Sequence, residues 1–132
     1  MPDVVVRPVC DGDAPALRRL AGETTIVADA APPEPSRDVV FVAEVEGHHA
    51  GYMAVREDGR TLVIDQIVVA PADQGRHVGH RLLDWAEGYG TSRGLERVRV
   101  PAVGADWRAR EFYRSRGYAA AGRALERELV HL

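Results

Sequence analysis

The residues best suited to chemistry gather in the stretch Ile67 to Glu87, IVVAPADQGRHVGHRLLDWAE. A β-branched run stops at Pro71, and the polar loop Gln74-Gly75-Arg76-His77-Val78-Gly79-His80 opens an amphipathic segment, so the stretch reads as strand, loop and helix. The first N–H groups of a helix have no intrahelical acceptor, and the helix dipole is positive there, so such a loop suits a phosphate. Gly75 and Gly79 have no Cβ to hold a ligand oxygen away from the main chain, and Arg76 with His77 adds positive charge. A solvated helix cap is the bland alternative. His48 and His49 lack a cysteine partner or spaced carboxylates, so they read as turn and strand residues and no metal is expected. The single Cys10 has no partner for an internal disulfide.

Gln74-x-x-x-x-Gly79 resembles the Gln/Arg-x-x-Gly-x-Gly/Ala signature of the GNAT acyltransferase superfamily, with His77 where the signature has its first glycine. Further on, Asp106-Trp-Arg-Ala109-Arg-Glu-Phe112-Tyr113-Arg-Ser-Arg-Gly117-Tyr118 is similar to that family's Asn-x-x-Ala-x-x-Phe-Tyr-x-x-x-Gly-Phe pattern, with Asp106 in place of asparagine. An aspartate there accepts a hydrogen bond but donates none. The two patterns together are far more specific than either alone, and the resemblance extends over essentially the whole chain.

The resemblance implies acetyl transfer from acetyl-CoA, as co-substrate, to a primary amine by direct attack in a ternary complex, with no covalent enzyme intermediate. It implies that the pyrophosphate rests on Gln74, Gly75, Arg76, His77, Val78, Gly79 and His80, with Asp106, Ala109 and Tyr113 lining the rest of the coenzyme. It further implies an oxyanion donor among the backbone N–H groups of Ile67, Val68 and Val69, and main-chain pairing of that strand with pantetheine. Tyr113 stands at the family's general-acid position, and its phenol carries a proton at neutral pH. As a core aromatic beside Phe112 it has a second reading. The attacking ammonium must lose a proton, and Asp65 is the first candidate base, with Glu44, Glu46 and His49 as alternatives. Whether Asp65 or Gln66 faces the substrate depends on a β-bulge that the family carries nearby.

A formal net charge of −3 and a pI near 5.9 argue against a nucleic-acid partner, which normally meets a basic face. That makes an acyltransferase acting on charged tRNA a poor third reading, behind a non-catalytic acyl-CoA-binding module. All 17 basic residues are arginine, so the chain has no lysine of its own to acetylate. No apolar run approaches the roughly 20 residues that span a bilayer, and the N-terminus MPDVVVRPV has no export pattern, so a cytoplasmic, membrane-free protein is expected. Many members of the family are dimers through their terminal strands, and by analogy alone that expectation extends to a homodimer here.

These residues need a frame to hold them, and the pattern predicts a single domain over 1–132. Val4 to Val9 reads as a strand and Ala14 to Gly22 as a helix behind Asp13. Glu23 to Ala30 reads as a second short helix or an extended run, and Ala31 to Ser36 as a proline-stiffened loop. Val39–Glu46 and His49–Arg56 form a hairpin around Gly47-His48, and Glu57 to Arg60 turns into the strand Thr61–Val69. A helix follows from Val78 to Thr91, with Val78, Leu82, Trp85, Ala86 and Tyr89 on one face and Gly90 or Gly94 as its stop. Glu96–Val100 is a strand parallel to Thr61–Val69, Ala105–Arg116 a helix ended by Gly117, and Tyr118–Arg123 with Leu125–His131 a terminal pair. The order β-α-α-β-β-β-α-β-α-β-β is that of the GNAT fold, an α/β (α+β) class with a mixed sheet of about six to seven strands and about four helices.

Overall fold

Short β-branched runs cut by glycine turns make the sheet. The structure, a computed structural model, describes residues 3–21, 39–73, 77–101, 107–122 and 124–129. Strand β1 (Val4–Pro8) leads through a 3-10 turn at Asp11–Asp13 into helix α1 (Ala14–Ala21). Strands β2 (Val39–Val45), β3 (His48–Asp58) and β4 (Thr61–Val69) follow, then a 3-10 turn at Pro71–Asp73 and helix α2 (Val78–Ser92). Strand β5 (Arg97–Pro101), helix α3 (Trp107–Ser115) and strands β6 (Ala119–Ala121) and β7 (Ala124–Glu128) complete the described chain. The expected short helix at 23–30 and the loop at 31–36 lie outside the described residues.

The seven strands pair in the order β1-β2-β3-β4-β5-β7-β6. Every pairing is antiparallel except β4 with β5, which α2 connects as a crossover. This is the mixed α/β architecture of the GNAT fold that the element order predicts. One face of the sheet carries the larger core, in which Met53, Val55, Leu62, Ile64, Ile67 and Val69 pack under Leu82, Leu83, Ala86 and Tyr113. The other face packs Val40, Tyr52, Ala54, Val68 and Ala70 against Leu20 of α1.

Several boundaries move by a residue or two, each for a local reason. The β2–β3 hairpin turns on Glu46-Gly47, both at positive φ (51° and 82°), rather than on Gly47-His48, so His48 belongs to the strand. Two residues at positive φ give the type of two-residue turn whose twist matches that of its strands. Gly94 (φ 73°), not Gly90, ends α2, with Leu95 N–H donating to the Gly90 carbonyl. Gly90 stays inside the helix, where an added Cβ would lie 2.9 Å from Leu129 Cδ1. Trp85 leaves the expected apolar face of α2: the buried stripe is Val78, Leu82, Leu83, Ala86 and Gly90, which puts Trp85 about 100° from its centre. It stands 39% exposed at the sheet's margin with its ring 5.6 Å from Phe41.

Candidate functional site

Strand β4 is straight only to Ile64. Val55 pairs with Ile64 but Ala54 with Gln66, so Asp65 is an extra residue, a β-bulge. Before it, Leu62 and Ile64 enter the α2-side core; after it, Ile67 and Val69 do. Gln66 faces the α1 side, where the Tyr52 hydroxyl donates to its amide oxygen at 2.8 Å. Asp65 shares that face, since it meets Arg56, the cross-strand partner of Val63, at 3.2 Å. Bulge and alternation thus put both residues toward α1, which period two alone forbids.

The bulge coincides with a parting of strands. Strand β5 pairs with β4 only at Thr61↔Arg97, Leu62↔Val98 and Val63↔Arg99, then continues alongside β7 as far as Pro101↔Ala124. Among the described residues, Ile64 to Val69 therefore carries a ladder to β3 but none toward β5. Ile67, Val68 and Val69 lie in this segment, all buried. Close packing against β3 fixes its end: a Cβ on Gly51 would lie 2.4 Å from the Val68 carbonyl oxygen and 3.4 Å from Val78 Cγ1. Ala70 N–H donates to the Ala50 carbonyl at 2.8 Å.

Gln74, Gly75 and Arg76 lie outside the described residues, as does Asp106; Ala109 is on α3, but its side chain is not described. His77 caps α2 in the left-handed region (φ 63°, ψ 22°), with no side-chain capping bond. That conformation explains why a glycine is suited to this position, and histidine tolerates it better than a β-branched residue does. Val78 and Gly79 begin the helix buried. The His80 ring stands edge-on to Phe112 at 4.8 Å and 5.5 Å from His77. Arg116 Nη1 donates to His80 Nδ1 at 3.3 Å, which leaves the neutral ring's proton on Nε2. Burial first, then the Arg116 and His77 charges, hold the His80 imidazole below its ordinary pKa, against an opposing pull from Asp84.

From Phe112 the rings continue to Tyr113 (5.0 Å) and on to Tyr118 (5.7 Å). The two sequence motifs therefore meet in one aromatic chain running from the start of α2 through α3. Tyr113 is 1% exposed, and its hydroxyl has no hydrogen-bond partner among the described residues. Burial pushes its phenol above the ordinary tyrosine value, so the proton stays on at neutral pH. Tyr118 differs, donating to Glu87 at 2.9 Å; Glu87 also holds Arg127 at 3.1 Å and Arg116 at 3.4 Å. Tyr113 belongs to the α2-side core and Asp65 to the α1 side, so no direct contact joins the two.

Two of the alternative bases, Glu44 and His49, have partners of their own. Arg7 binds Asp13 through both terminal nitrogens at 2.9 Å and Glu44 through Nε at 2.5 Å, while His49 Nε2 reaches Asp13 Oδ1 at 2.7 Å. The Arg7 guanidinium, more than any other neighbour, holds the Asp13 carboxyl well below the usual carboxylate range. Glu46 sits exposed in the hairpin turn. This cluster joins residues up to 37 positions apart, and no local pattern announces it. A groove of about 1010 Å³ runs along the opposite flank of α2, between it and β1, and meets the α2 cap at His77.

A family model described as an acetyltransferase (GNAT) domain matches residues 36–120, and no curated protein matches the chain. Among solved structures the chain is similar to the ribosomal-protein-S18-alanine N-acetyltransferase from Escherichia coli, at 17% identity and TM-score 0.78, over 98% of this chain and 96% of that one. Nourseothricin acetyltransferase is 24% identical with TM-score 0.73, over 96% and 99% of the two chains. PaiA N-acetyltransferase from Thermoplasma acidophilum, solved with coenzyme A, is 12% identical with TM-score 0.76, over 96% and 99%. At these identities the structural likeness establishes the fold.

Proposed function

We propose, from the premise that this chain belongs to the GNAT acetyltransferase family, that it transfers an acetyl group from acetyl-CoA to a primary amine within a single domain. The observation that carries the reading is the meeting of its two motifs, His80 against Phe112 and Phe112 against Tyr113. The residues fit the coenzyme. Among the described residues, strand β4 from Ile64 to Val69 carries no ladder on its β5 side, which suits pairing with the amides of pantetheine. The start of α2 offers the N–H groups of its first turn and a positive dipole to a pyrophosphate.

Acetyl-CoA supplies an activated thioester; the chain supplies position and protons. A backbone N–H among Ile67, Val68 and Val69 donates to the carbonyl oxygen as negative charge develops there. Tyr113 gives its phenolic proton to the leaving sulfur, and a hydroxyl with no acceptor among the described residues supports that role. Asp65 takes the proton of the incoming ammonium, directly or through water, and Arg56 competes with that ammonium for the carboxylate. The acceptor approaches from the α1 face, which Asp65 and Gln66 share. Small amines, antibiotics, peptide N-termini and protein lysines all remain within this chemistry.

The test is turnover of acetyl-CoA against a panel of amines with released CoA measured, beside calorimetry of coenzyme binding. Gly79→Asp puts a carboxylate where the pyrophosphate approaches and should abolish binding with the fold intact by circular dichroism; unchanged affinity removes this site. A second reading, an acyl-CoA-binding module without turnover, draws on the enclosure of Tyr113 and the Arg56–Asp65 pair. Binding with no CoA released from any amine would favour it.

A further inference from the structure

On the α1 face of the sheet a cation stands beside the candidate base. Arg56 lies on β3 opposite Val63, and the bulge in β4 turns Asp65 to the same face, within reach of it. The contact is made through Nε alone, which lies 3.2 Å from each carboxylate oxygen. Among the described residues neither terminal nitrogen of Arg56 has a hydrogen-bond partner; Asp58 stands 4.0 Å from Nη1, beyond hydrogen-bond reach. Arg7 differs, since its Nε and both terminal nitrogens are committed to Glu44 and Asp13. The Arg56 side chain is 32% exposed and that of Asp65 12%, so the pair is sheltered without being sealed.

Two opposite charges fixed side by side favour a ligand that carries the reverse pair. An acceptor whose ammonium approaches Asp65 also brings its positive charge up to Arg56, and where water is partly excluded that repulsion is strong. A carboxylate on the carbon next to the amine turns the repulsion into attraction, because the planar guanidinium fork matches a carboxylate through charge-assisted N–H···O bonds. A polycationic amine has no such compensation. We propose that the acceptor is an amine carrying its own carboxylate, a free amino acid or a close zwitterionic analogue, with its ammonium on Asp65 and its carboxylate on the terminal nitrogens of Arg56. This narrows the acetyltransferase reading above and rests on it. The acceptor nitrogen bonds the acetyl carbon as the C–S bond breaks, and the products are the N-acetylated amino acid and CoA, with one proton released to solvent.

Alanine and alaninamide differ only at the carboxyl group, so the test titrates each into protein holding CoA and measures the KM of each with acetyl-CoA. The readouts are Kd and KM, because the amide's amine loses its proton more readily and so gains in kcat. Wild type should favour alanine by about tenfold or more in both, the worth of a hydrogen-bonded charge pair. Arg56→Met keeps the apolar stem and removes the charge, and the preference should collapse toward one; Arg56→Lys keeps the charge without the fork and should restore part of it. Equal wild-type affinities overturn the inference, and that comparison needs no variant to fold. So does an unchanged ratio in Arg56→Met, including a parallel loss for both acceptors, which would make Arg56 only a structural partner of Asp65. CoA release confined to amines without a carboxylate overturns this inference alone. A wild type that releases CoA with no amine at all overturns the acetyltransferase reading and this inference with it.

Discussion

Replacing Tyr113 by phenylalanine should make the protein more stable and the enzyme slower. The ligand-free hydroxyl is buried with no partner among the described residues, and an unsatisfied buried polar group costs about 1–3 kcal/mol. Removing one oxygen leaves a void that costs back a few tenths of a kcal/mol at about 24 cal/mol per Å³. The net expectation is a gain of about 1–2 kcal/mol, or roughly 4–8 °C in the thermal midpoint for a chain of this size. Catalysis should move the other way: loss of a general acid lowers kcat by roughly 10²-fold, about 2.7 kcal/mol of transition-state stabilisation, with acetyl-CoA affinity retained. Urea denaturation and scanning calorimetry read the first effect, and pre-steady-state CoA release reads the second. A variant less stable than wild type by 1 kcal/mol, with full kcat where chemistry limits the rate, would refute the reasoning. The phenol would then be a hydrogen-bonded packing group, and the thiolate would be protonated through water.

Asp65→Asn should lower kcat/KM at neutral pH with a defect that shrinks under alkaline conditions, where more of the amine is already free; a pH profile parallel to wild type removes Asp65 as the base. His77→Val should cost about 1–2 kcal/mol because of its φ of 63°, and His77→Gly should be near neutral, as chemical denaturation will show. Gly51→Ala places a Cβ 2.4 Å from the Val68 carbonyl, so β4 must shift; a loss of 2 kcal/mol or so is expected together with weakened acetyl-CoA binding. His80 has a lowered folded pKa, so the unfolded chain takes up its proton first; stability should fall as pH drops below the ordinary 6.5, and His80→Gln should flatten that limb.

Local chemistry made the start of α2 and the Phe112-Tyr113 pair legible, because both are written as contiguous spacings with a period that places them. The parallel β4–β5 pair followed from the crossover rule. What stayed hidden depends on registry between distant segments. Period two offers no reason for Asp65 and Gln66 to share a face; only the cross-strand pairing at Ala54 and Val55 shows the extra residue. The His48–Asp73 and His49–Asp13 contacts span 25 and 36 positions, and a histidine at a hairpin looks the same in sequence whichever carboxylate it meets. Trp85 was misplaced because its spacing from Leu82 suits a helical stripe, whereas the packed stripe centres on Leu83 and Ala86.

The extra residue in β4 also divides the strand into two reading frames. Even-numbered side chains serve the α2 layer as far as Ile64, and odd-numbered ones serve it from Ile67 onward. A point substitution at Asp65 changes one side chain and leaves both frames in phase. Deleting that one residue would merge the two frames into a single alternation, with Ile64, Ile67 and Val69 still toward α2 and Gln66 and Val68 still toward α1. The two layers would thus keep their apolar side chains without a residue at position 65, so what the extra residue contributes is a local bend in β4 and a second polar side chain on the α1 face beside Gln66.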